Sequence, residues 1–231
     1  KTTIAKIFAK AINCTGENPP CNECSNCKEI TLGDHPDVIE IDAASNNGVN
    51  EVRELIDKVK YAPINAKYKV YIIDEVHMMT PEAFNALLKT LEEPPAHIVF
   101  ILATTEPHKI LPTIISRCQR FDFKRVDEKD IINRLEYVLK EEKVDYEEDA
   151  LEIISKLADG GMRDALSILE QCLAYDRHLT VENINKVYGL LSNDEKIRLI
   201  KLLLTKDMKN VLKTLDHMMS LSIDLKRLTQ D

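Results

Sequence analysis

Residues 69–75 read KVYIIDE, and this short stretch decides the fold. Its continuous run of apolar and β-branched residues predicts a strand that is buried on both faces, as the strands of parallel sheets are. Asp74 and Glu75 stand at the carboxyl end of this strand, which is where open α/β sheets place their ligands. The stretch therefore predicts a parallel sheet with a polar site at its edge.

Strands and helices alternate on both sides of this stretch, from residue 1 to about residue 124. The predicted strands are VIEID (38–42), KVYIID (69–74), IVFILATT (98–105) and QRFDF (119–123). The predicted helices among them cover 2–12, 25–32, 51–60, 81–93 and 112–116. The rest of the sequence predicts helices only, at 127–141, 147–157, 162–174, 180–187, 192–204 and 207–219. The fold class is thus α/β in the first part and all-α in the second.

The overall charge limits the classes of function. The chain has 31 Lys and Arg residues against 39 Asp and Glu residues, which gives a formal charge of −8. A protein that binds nucleic acid alone needs the opposite balance, because contacts with phosphates supply most of its affinity. No apolar run approaches the roughly 18 to 20 residues that span a bilayer, and the first residues do not resemble a secretion leader. We therefore expect no membrane protein, and contact with DNA only through a local basic patch or partners.

Two acids at the end of a buried strand suit nucleotide hydrolysis. Asp74 would hold Mg²⁺ and Glu75 would polarise the attacking water, whereas a strand that simply ends in solvated acids is the alternative. A phosphate-binding loop, G-x-x-x-x-G-K-[ST], would decide between the two interpretations. Lys1 and Thr2 match the last two positions of such a loop, directly before an amphipathic helix. Lys1 would reach the β- and γ-phosphates of ATP, and Thr2 would coordinate Mg²⁺.

The glycines of such a loop are not part of this sequence, which starts at Lys1 rather than at Met. We therefore expect the chain to be a piece of a longer protein, cut within the phosphate loop. Because the backbone amides of that loop supply much of the affinity for phosphate, we expect this piece alone to bind ATP weakly.

Four of the six cysteines, Cys14, Cys21, Cys24 and Cys27, form the pattern C-x6-C-x2-C-x2-C. Two successive CxxC steps allow four thiolates to converge on one tetrahedral ion with no open position, which predicts a structural Zn²⁺ site. Disulfides are the alternative, and the reducing cytosol that a nucleotide-dependent function implies disfavours them. Cys172 lies on an apolar helix face and is expected in a core.

Five stretches of the sequence form a recognisable set. They are KTT (1–3), the cysteine insertion after the first helix, YIIDEVHMM (71–79), LATTEPHKILPTIISRC (102–118) and GGMRDALS (160–167). Together they resemble the gamma/tau subunit family of the bacterial DNA polymerase III clamp loader. Members of this family are AAA+ ATPases. The resemblance implies a P-loop AAA+ nucleotide-binding domain over 1–125 with a zinc module at 14–27. A helical lid domain over 126–189 and the beginning of a helical collar domain over 190–231 would follow.

The resemblance also implies which residues bind the nucleotide within one subunit. Lys1, Thr2 and Thr3 match the end of the Walker A motif, and Asp74 and Glu75 match Walker B.

Three further roles follow from the same resemblance. Thr105 matches the sensor-1 position, which responds to the γ-phosphate, and Thr104 is a weaker candidate. Arg117 of the SRC tripeptide resembles the arginine finger, which acts in trans on ATP held by the neighbouring subunit; a solvated Arg at a helix end is the alternative. Arg163 resembles sensor 2, and the alternative is an Arg that is solvated or paired with Asp164.

The implied function is ATP-driven loading of a sliding clamp onto primed DNA during replication, with ATP, Mg²⁺ and structural Zn²⁺ as cofactors. The implied partners are the other clamp-loader subunits in a hetero-oligomeric ring, the sliding clamp, primed DNA, the DNA polymerase core and, indirectly, single-strand-binding protein. The implied location is the cytoplasm, in association with the nucleoid.

Three other functions compete with this one. A nucleotide-silent scaffold subunit, similar to delta-prime, would share the SRC tripeptide and the cysteines but would not need Lys1 and Thr2. The DEVH string (74–77) resembles the DExH box of helicases, but a second α/β domain would then have to follow. A zinc module that binds nucleic acid directly is disfavoured because residues 14–29 contain one Lys and three Glu.

Overall fold

A parallel sheet organises the first of two units, Lys1–Phe123, and the second unit starts at Lys124. The computed structural model describes residues 1–190 and 193–220. Within them, β1 (Val38–Asp42), β2 (Lys69–Asp74) and β3 (Ile98–Leu102) lie in the order β1-β2-β3. Asp42 is the register partner of Asp74, and Ile73 that of Leu102. The carboxyl ends of the strands therefore meet at one edge, as the sequence predicted.

Alternate side chains of β2 enter two different helical layers. Val70 and Ile72 belong to one apolar cluster with residues of α1 (Thr2–Asn13) and α2 (Ser25–Leu32). Tyr71 and Ile73 belong to the opposite cluster with residues of three further helices. These are α3 (Val49–Val59), α4 (Pro81–Glu92) and α5 (Pro112–Ile115). All four side chains are at most 2% exposed, which confirms the predicted strand with helices on both faces.

The first helix was predicted from the spacing of Ile4, Ile7, Phe8, Ala11 and Ile12, but the first three of these side chains are 46%, 40% and 51% exposed. The residues that α1 buries against the sheet are Ala5 and Ala9, which are 5% and 0% exposed. Alanine side chains allow the helix axis to lie close to the strands. The helix was predicted correctly. Of the apolar residues that indicated it, Ile12 packs partly against the same cluster, whereas Ile4, Ile7 and Phe8 do not.

The predicted strand at 119–123 is wrong. In the structure this segment has no regular secondary structure, and Phe121 and Phe123 are 68% and 57% exposed. A strand requires a neighbour whose backbone groups it can pair with, and within the described residues the segment lies beside none. The third strand also ends earlier than predicted, at Leu102, so Thr104 and Thr105 lie in the loop that follows.

A buried aspartate fastens the loop between α3 and β2. The carboxylate of Asp37, fully buried, accepts hydrogen bonds from the backbone N–H groups of Ile64, Asn65 and Ala66 at 2.7 to 3.0 Å. Burial by itself raises the pKa of this carboxyl, but the backbone donors outweigh it and hold the pKa below its usual value. The charged carboxylate therefore stabilises the fold.

We expect Asp37→Asn to lower the free energy of unfolding by about 2 kcal/mol at pH 7, because the amide cannot accept from all of these donors. Since the pKa of Asp37 is depressed in the folded state, its contribution is complete above about pH 4 and disappears as the pH falls through the folded value. Urea unfolding of the wild type and the variant should give the same difference at pH 7 and pH 5, and a smaller one below pH 4. Asp34→Asn, at an exposed neighbour, is the matched control; a difference that grows on acidification would contradict the assignment.

Four helices form the core of the second unit. They are α6 (Glu128–Glu142), α7 (Glu148–Ala158), α8 (Met162–Tyr175) and α9 (Val181–Tyr188), each within two residues of its prediction. Leu135, Ile154 and Leu169 are at most 2% exposed at their shared core, and Cys172 is buried there as expected.

Two more helices follow, α10 (Asn193–Leu204) and α11 (Met208–Ser220). They pack on each other through a separate small cluster that contains Leu199, Val211 and Met218. Of the predicted collar segment 190–231, residues 191–192 and 221–231 lie outside the described residues. Among the helices that are described, none is long and apolar enough to cross a bilayer.

Candidate functional site

The amino end of α1 and the carboxyl end of β2 meet in the first unit. The hydroxyl of Thr2 donates a short hydrogen bond to Oδ2 of Asp74, 72 positions away in the sequence. Lys1 precedes the helix as its N-cap residue, and its carbonyl accepts from the N–H of Ala5 at 3.0 Å. Lys1 and Thr3 are exposed. The structure thus brings Thr2 and Asp74 together at a helix N-terminus, where backbone N–H groups and the helix dipole favour an anion.

The backbone turns sharply between the two acids. Oδ1 of Asp74 accepts from the backbone N–H of Glu75 at 2.9 Å. Glu75 itself has a φ of 45°, a left-handed backbone conformation that residues other than glycine rarely adopt. The N–H of Val76 then bonds to the carbonyl of Ala103, at 2.9 Å. The two carboxylates have different partners: Asp74 bonds to Thr2 at the end of α1, whereas Glu75 bonds to Thr105 in the loop after β3.

Glu75 is held by the residue that was predicted as sensor 1. Its Oε2 accepts from the hydroxyl of Thr105 at 2.9 Å and from the backbone N–H of Thr105 at 3.2 Å. The loop after β3 lies beside the end of β2 because the two strands are neighbours in the sheet. The contact between Glu75 and Thr105 is therefore made within one chain and does not require a bound nucleotide.

The sequence interpretation missed a second group of polar residues at this edge. Nδ1 of His77 lies 2.9 Å from Oγ1 of Thr104, and Nε2 of His77 lies 3.2 Å from Oε2 of Glu106. Lys109 donates to the same Glu106 oxygen at 2.6 Å, and this bond holds the pKa of Glu106 below its usual value. His77 was interpreted only as part of the turn into the next helix, and it does lie in a short 3₁₀ turn, Val76–Met78. In the sequence, only the position of His77 two residues after Glu75 could have indicated that it lies at the site.

Arg117 does not contact these residues. Its guanidinium donates to Oε1 of Glu92 at 2.5 Å and to the carbonyl of Thr113 at 2.6 Å. The two charged side chains of the ion pair are 32% and 48% exposed. A pair that exposed is worth roughly 0 to 1 kcal/mol. The guanidinium is therefore accessible and can exchange Glu92 for another anion at little cost.

Arg163 belongs to the second unit, in the first turn of α8. Its side chain is exposed, and no ion pair or side-chain hydrogen bond within 1–190 and 193–220 involves its guanidinium. Of the two alternatives to the sensor-2 role, the structure has the solvated side chain and not the pair with Asp164.

The four clustered cysteines converge. The Sγ atoms of Cys14, Cys21, Cys24 and Cys27 all lie within 4.8 Å of one another, and all are free thiols. Zn–S bonds of about 2.3 Å in a tetrahedron place sulfurs roughly 3.8 Å apart, so the arrangement fits a four-coordinate metal ion. Cys14 directly follows α1, and Cys24 is the N-cap residue of α2.

Backbone N–H groups surround these sulfurs. Gly16 and Cys21 donate to Sγ of Cys14 at 3.3 and 3.4 Å, which lowers the pKa of that thiol. Backbone hydrogen bonds from Thr15 and Cys27 lower the pKa of Cys24 to about 5. Burial raises the pKa of Cys27 to about 12. The backbone thus stabilises negative charge on part of the cluster, as a site for thiolate ligands requires.

Two family models match the chain. Residues 1–127 match the model described as "DNA polymerase III, delta subunit". Residues 130–177 match "DNA polymerase III clamp loader subunit, ATPase lid domain". The boundary between the matches agrees with the start of the second unit at Lys124.

The curated relatives are likewise subunits of DNA polymerase III, of the tau type rather than delta. The chain is 54% identical to DNA polymerase III subunit tau of Bacillus subtilis over 100% of its own length and 42% of that protein. It is 46% identical to the tau subunit of Escherichia coli over 87% of its length and 32% of that protein. The chain thus spans less than half the length of either relative.

Among solved structures, the chain resembles the RuvB Holliday junction branch migration motor of Thermotoga maritima. The TM-score is 0.55 at 13% sequence identity, over 88% of this chain and 71% of that one. At this level of identity the likeness concerns the fold alone, which is that of a P-loop AAA+ domain with a helical lid.

Proposed function

Because this chain belongs to the gamma/tau family of bacterial DNA polymerase III clamp-loader subunits, we propose that it supplies ATP hydrolysis to a clamp loader. The observation that carries the proposal is the contact between Thr2 and Asp74 across 72 residues, next to a Glu75 that is oriented by Thr105. A nucleotide-silent scaffold would have no use for either arrangement.

Each residue of this site has a distinct task in the proposal. The exposed amino end of α1 receives the phosphates of ATP, with Lys1 at the β- and γ-phosphates. Thr2 and Asp74 offer the hard oxygen ligands that Mg²⁺ prefers, and the ion would neutralise charge on the phosphates. Glu75 accepts a proton from the attacking water, and the hydroxyl of Thr105 fixes the direction of its carboxylate. In the second unit, Arg163 is proposed to contact the nucleotide as sensor 2.

Assembly completes the site in the same proposal. The neighbouring subunit contributes its Arg117, so that hydrolysis depends on ring formation. The ring would consist of this subunit and other clamp-loader subunits, joined by heterologous contacts. We further propose that it opens a sliding clamp, places it on primed DNA and serves the DNA polymerase core in the cytoplasm, near the nucleoid and near single-strand-binding protein.

The proposal is tested by the ATPase rate of the full-length protein, alone and with its partner subunits, sliding clamp and primed DNA. We expect slow turnover alone and strong stimulation in the complete mixture. A complex that loads clamps while this subunit neither binds nor hydrolyses ATP would contradict the proposal and support the scaffold.

For the cysteine cluster we propose a structural Zn²⁺, held by Cys14, Cys21, Cys24 and Cys27. The four sulfurs fill the coordination sphere of the ion, so the site would contribute to folding and not to catalysis. The N–H groups that already point at the sulfurs support this assignment.

We expect Cys24→Ser to release the metal and Gly16→Ala to weaken its binding by about tenfold or more. A Cβ at Gly16 would lie 2.9 Å from Cβ and 3.0 Å from Sγ of Cys21, so the side chain of Cys21 would have to move. Changes to the groups that surround and orient metal ligands typically cost about 10- to 100-fold in affinity. Metal content and competition with a chelator measure both effects. Gly48→Ala is the control, because its added carbon meets only the flexible end of Glu51; full metal content in the Cys24 variant would reject the ligand set.

A further inference from the structure

The ring of His77 connects two carboxylates at the edge of the sheet. Its Nδ1 lies 3.3 Å from Oε2 of Glu75, and its Nε2 lies 3.2 Å from Oε2 of Glu106. The side chain of His77 is 8% exposed. Nδ1 also lies 2.9 Å from the hydroxyl of Thr104, which is its nearest partner. A nearly buried ring with partners at both nitrogens is held in place and is not simply part of a turn.

The contacts of Glu75 are unevenly divided between its two oxygens. Oε2 meets the hydroxyl and the backbone N–H of Thr105 as well as Nδ1 of His77. Within the described residues, no hydrogen bond or ion pair ends on Oε1. One oxygen is thus fixed by protein groups on two sides, and the other remains available to a water molecule.

The far side of the ring is anchored as well. Glu106 is bound by Lys109 at 2.6 Å, and its backbone N–H donates to the hydroxyl of Thr104 at 3.0 Å. That hydroxyl in turn lies 2.9 Å from Nδ1 of His77. Thr104, Glu106 and Lys109 therefore hold the ring from the loop after β3, independently of Glu75.

We propose that His77 is a positioning residue for hydrolysis: its ring, anchored by Glu106 at Nε2 and by the hydroxyl of Thr104 at Nδ1, limits the directions that the adjacent carboxylate of Glu75 can take. The proposal rests on the proposed function, in which Glu75 is the general base. Because a proton-accepting carboxylate must be held in the productive direction, loss of the ring should reduce turnover. It should not reduce nucleotide affinity, since His77 contacts neither Thr2 nor Asp74.

The experiment compares variants of the full-length protein in the assembled complex, with ATP turnover and nucleotide dissociation constant measured separately. We expect His77→Ala to lower kcat by roughly tenfold to a hundredfold and to change the dissociation constant by less than about twofold. We expect His77→Asn to recover most of kcat, because its amide nitrogen replaces Nδ1 although it cannot reach Glu106. His108→Ala, at an exposed histidine on the same loop, is the matched control and should leave turnover unchanged.

Unchanged kcat in His77→Ala would overturn the proposal, and so would an Asn variant that is as slow as the Ala variant. A parallel loss of kcat and nucleotide affinity would overturn it too, because that pattern indicates a general disturbance of the site. In a Glu75→Gln background, His77→Ala should have no further effect on turnover; an additive loss would show that the ring does not act through Glu75. Wild-type turnover in Glu75→Gln itself would be a different failure, since it would remove the proposed general base as well.

Discussion

Glu75→Gln should abolish ATP turnover in the assembled complex while ATP remains bound. The amide keeps the size of the side chain and can still meet Thr105, but it cannot accept a proton from water. General bases contribute about 10²- to 10⁴-fold to a rate, so we expect a loss of at least 10²-fold in kcat. The affinity for ATP should stay within a few-fold, because Thr2 and Asp74 are unchanged.

The measurement is single-turnover hydrolysis by the full-length protein with its partners, together with direct nucleotide binding. Glu82→Gln is the matched control, since Glu82 is an exposed acid in the first turn of α4 and its replacement removes the same charge. If the Glu75 variant hydrolysed ATP within tenfold of the wild-type rate, the base would have to be another group. If instead it lost ATP binding, Glu75 would belong with Asp74 as a ligand of the ion.

Arg117→Ala is expected to abolish the DNA-stimulated part of hydrolysis in the complex and to leave nucleotide binding largely intact. An arginine supplied by a neighbouring subunit is worth about 10³- to 10⁵-fold in comparable enzymes. In this chain the guanidinium donates to Glu92, to the carbonyl of Thr113 and to the hydroxyl of Ser116, on a half-exposed surface. The contact with Glu92 is exposed and therefore weak, so a phosphate, to which a guanidinium can make two parallel hydrogen bonds, can replace it.

Arg120→Ala provides the control for this prediction, because Arg120 is an exposed arginine three positions further on that pairs with Asp122. The assay compares turnover with and without primed DNA for complexes that contain either variant. Unchanged stimulated turnover in the Arg117 variant would reject its role as a finger. Equal losses in both variants would point to a general requirement for positive charge on this segment.

The central strand and its acids could be predicted because their signal is local. A strand that is buried on both faces must be apolar throughout, so residues 69–74 indicate both its limits and its surroundings. The cysteine cluster was equally readable, since the spacing of its ligands is itself the constraint. The helices could be predicted because their signal is local too: it is the spacing of apolar residues within a single segment.

What the sequence could not provide were contacts that depend on neighbours far along the chain. Residues 119–123 alternate like a strand, yet pairing decides whether a strand forms, and the alternation does not specify a partner. The burial of Ala5 and Ala9 in place of Phe8 follows from the closeness of α1 to the sheet. The link from His77 to Glu106 spans two loops that meet only because β2 and β3 are neighbours.

The left-handed backbone at Glu75 creates a conflict between the stability of the fold and its proposed activity. A residue other than glycine in this conformation costs about 1 to 2 kcal/mol, and glycine would remove that cost. Glu75→Gly should therefore raise the free energy of unfolding by about 1 kcal/mol, while the proposed function predicts that it loses hydrolysis. Under the proposed function, in which Glu75 is the general base, the carboxylate is kept at this position in spite of its conformational cost, and a related subunit with Gly or Asn here is expected to hydrolyse ATP poorly.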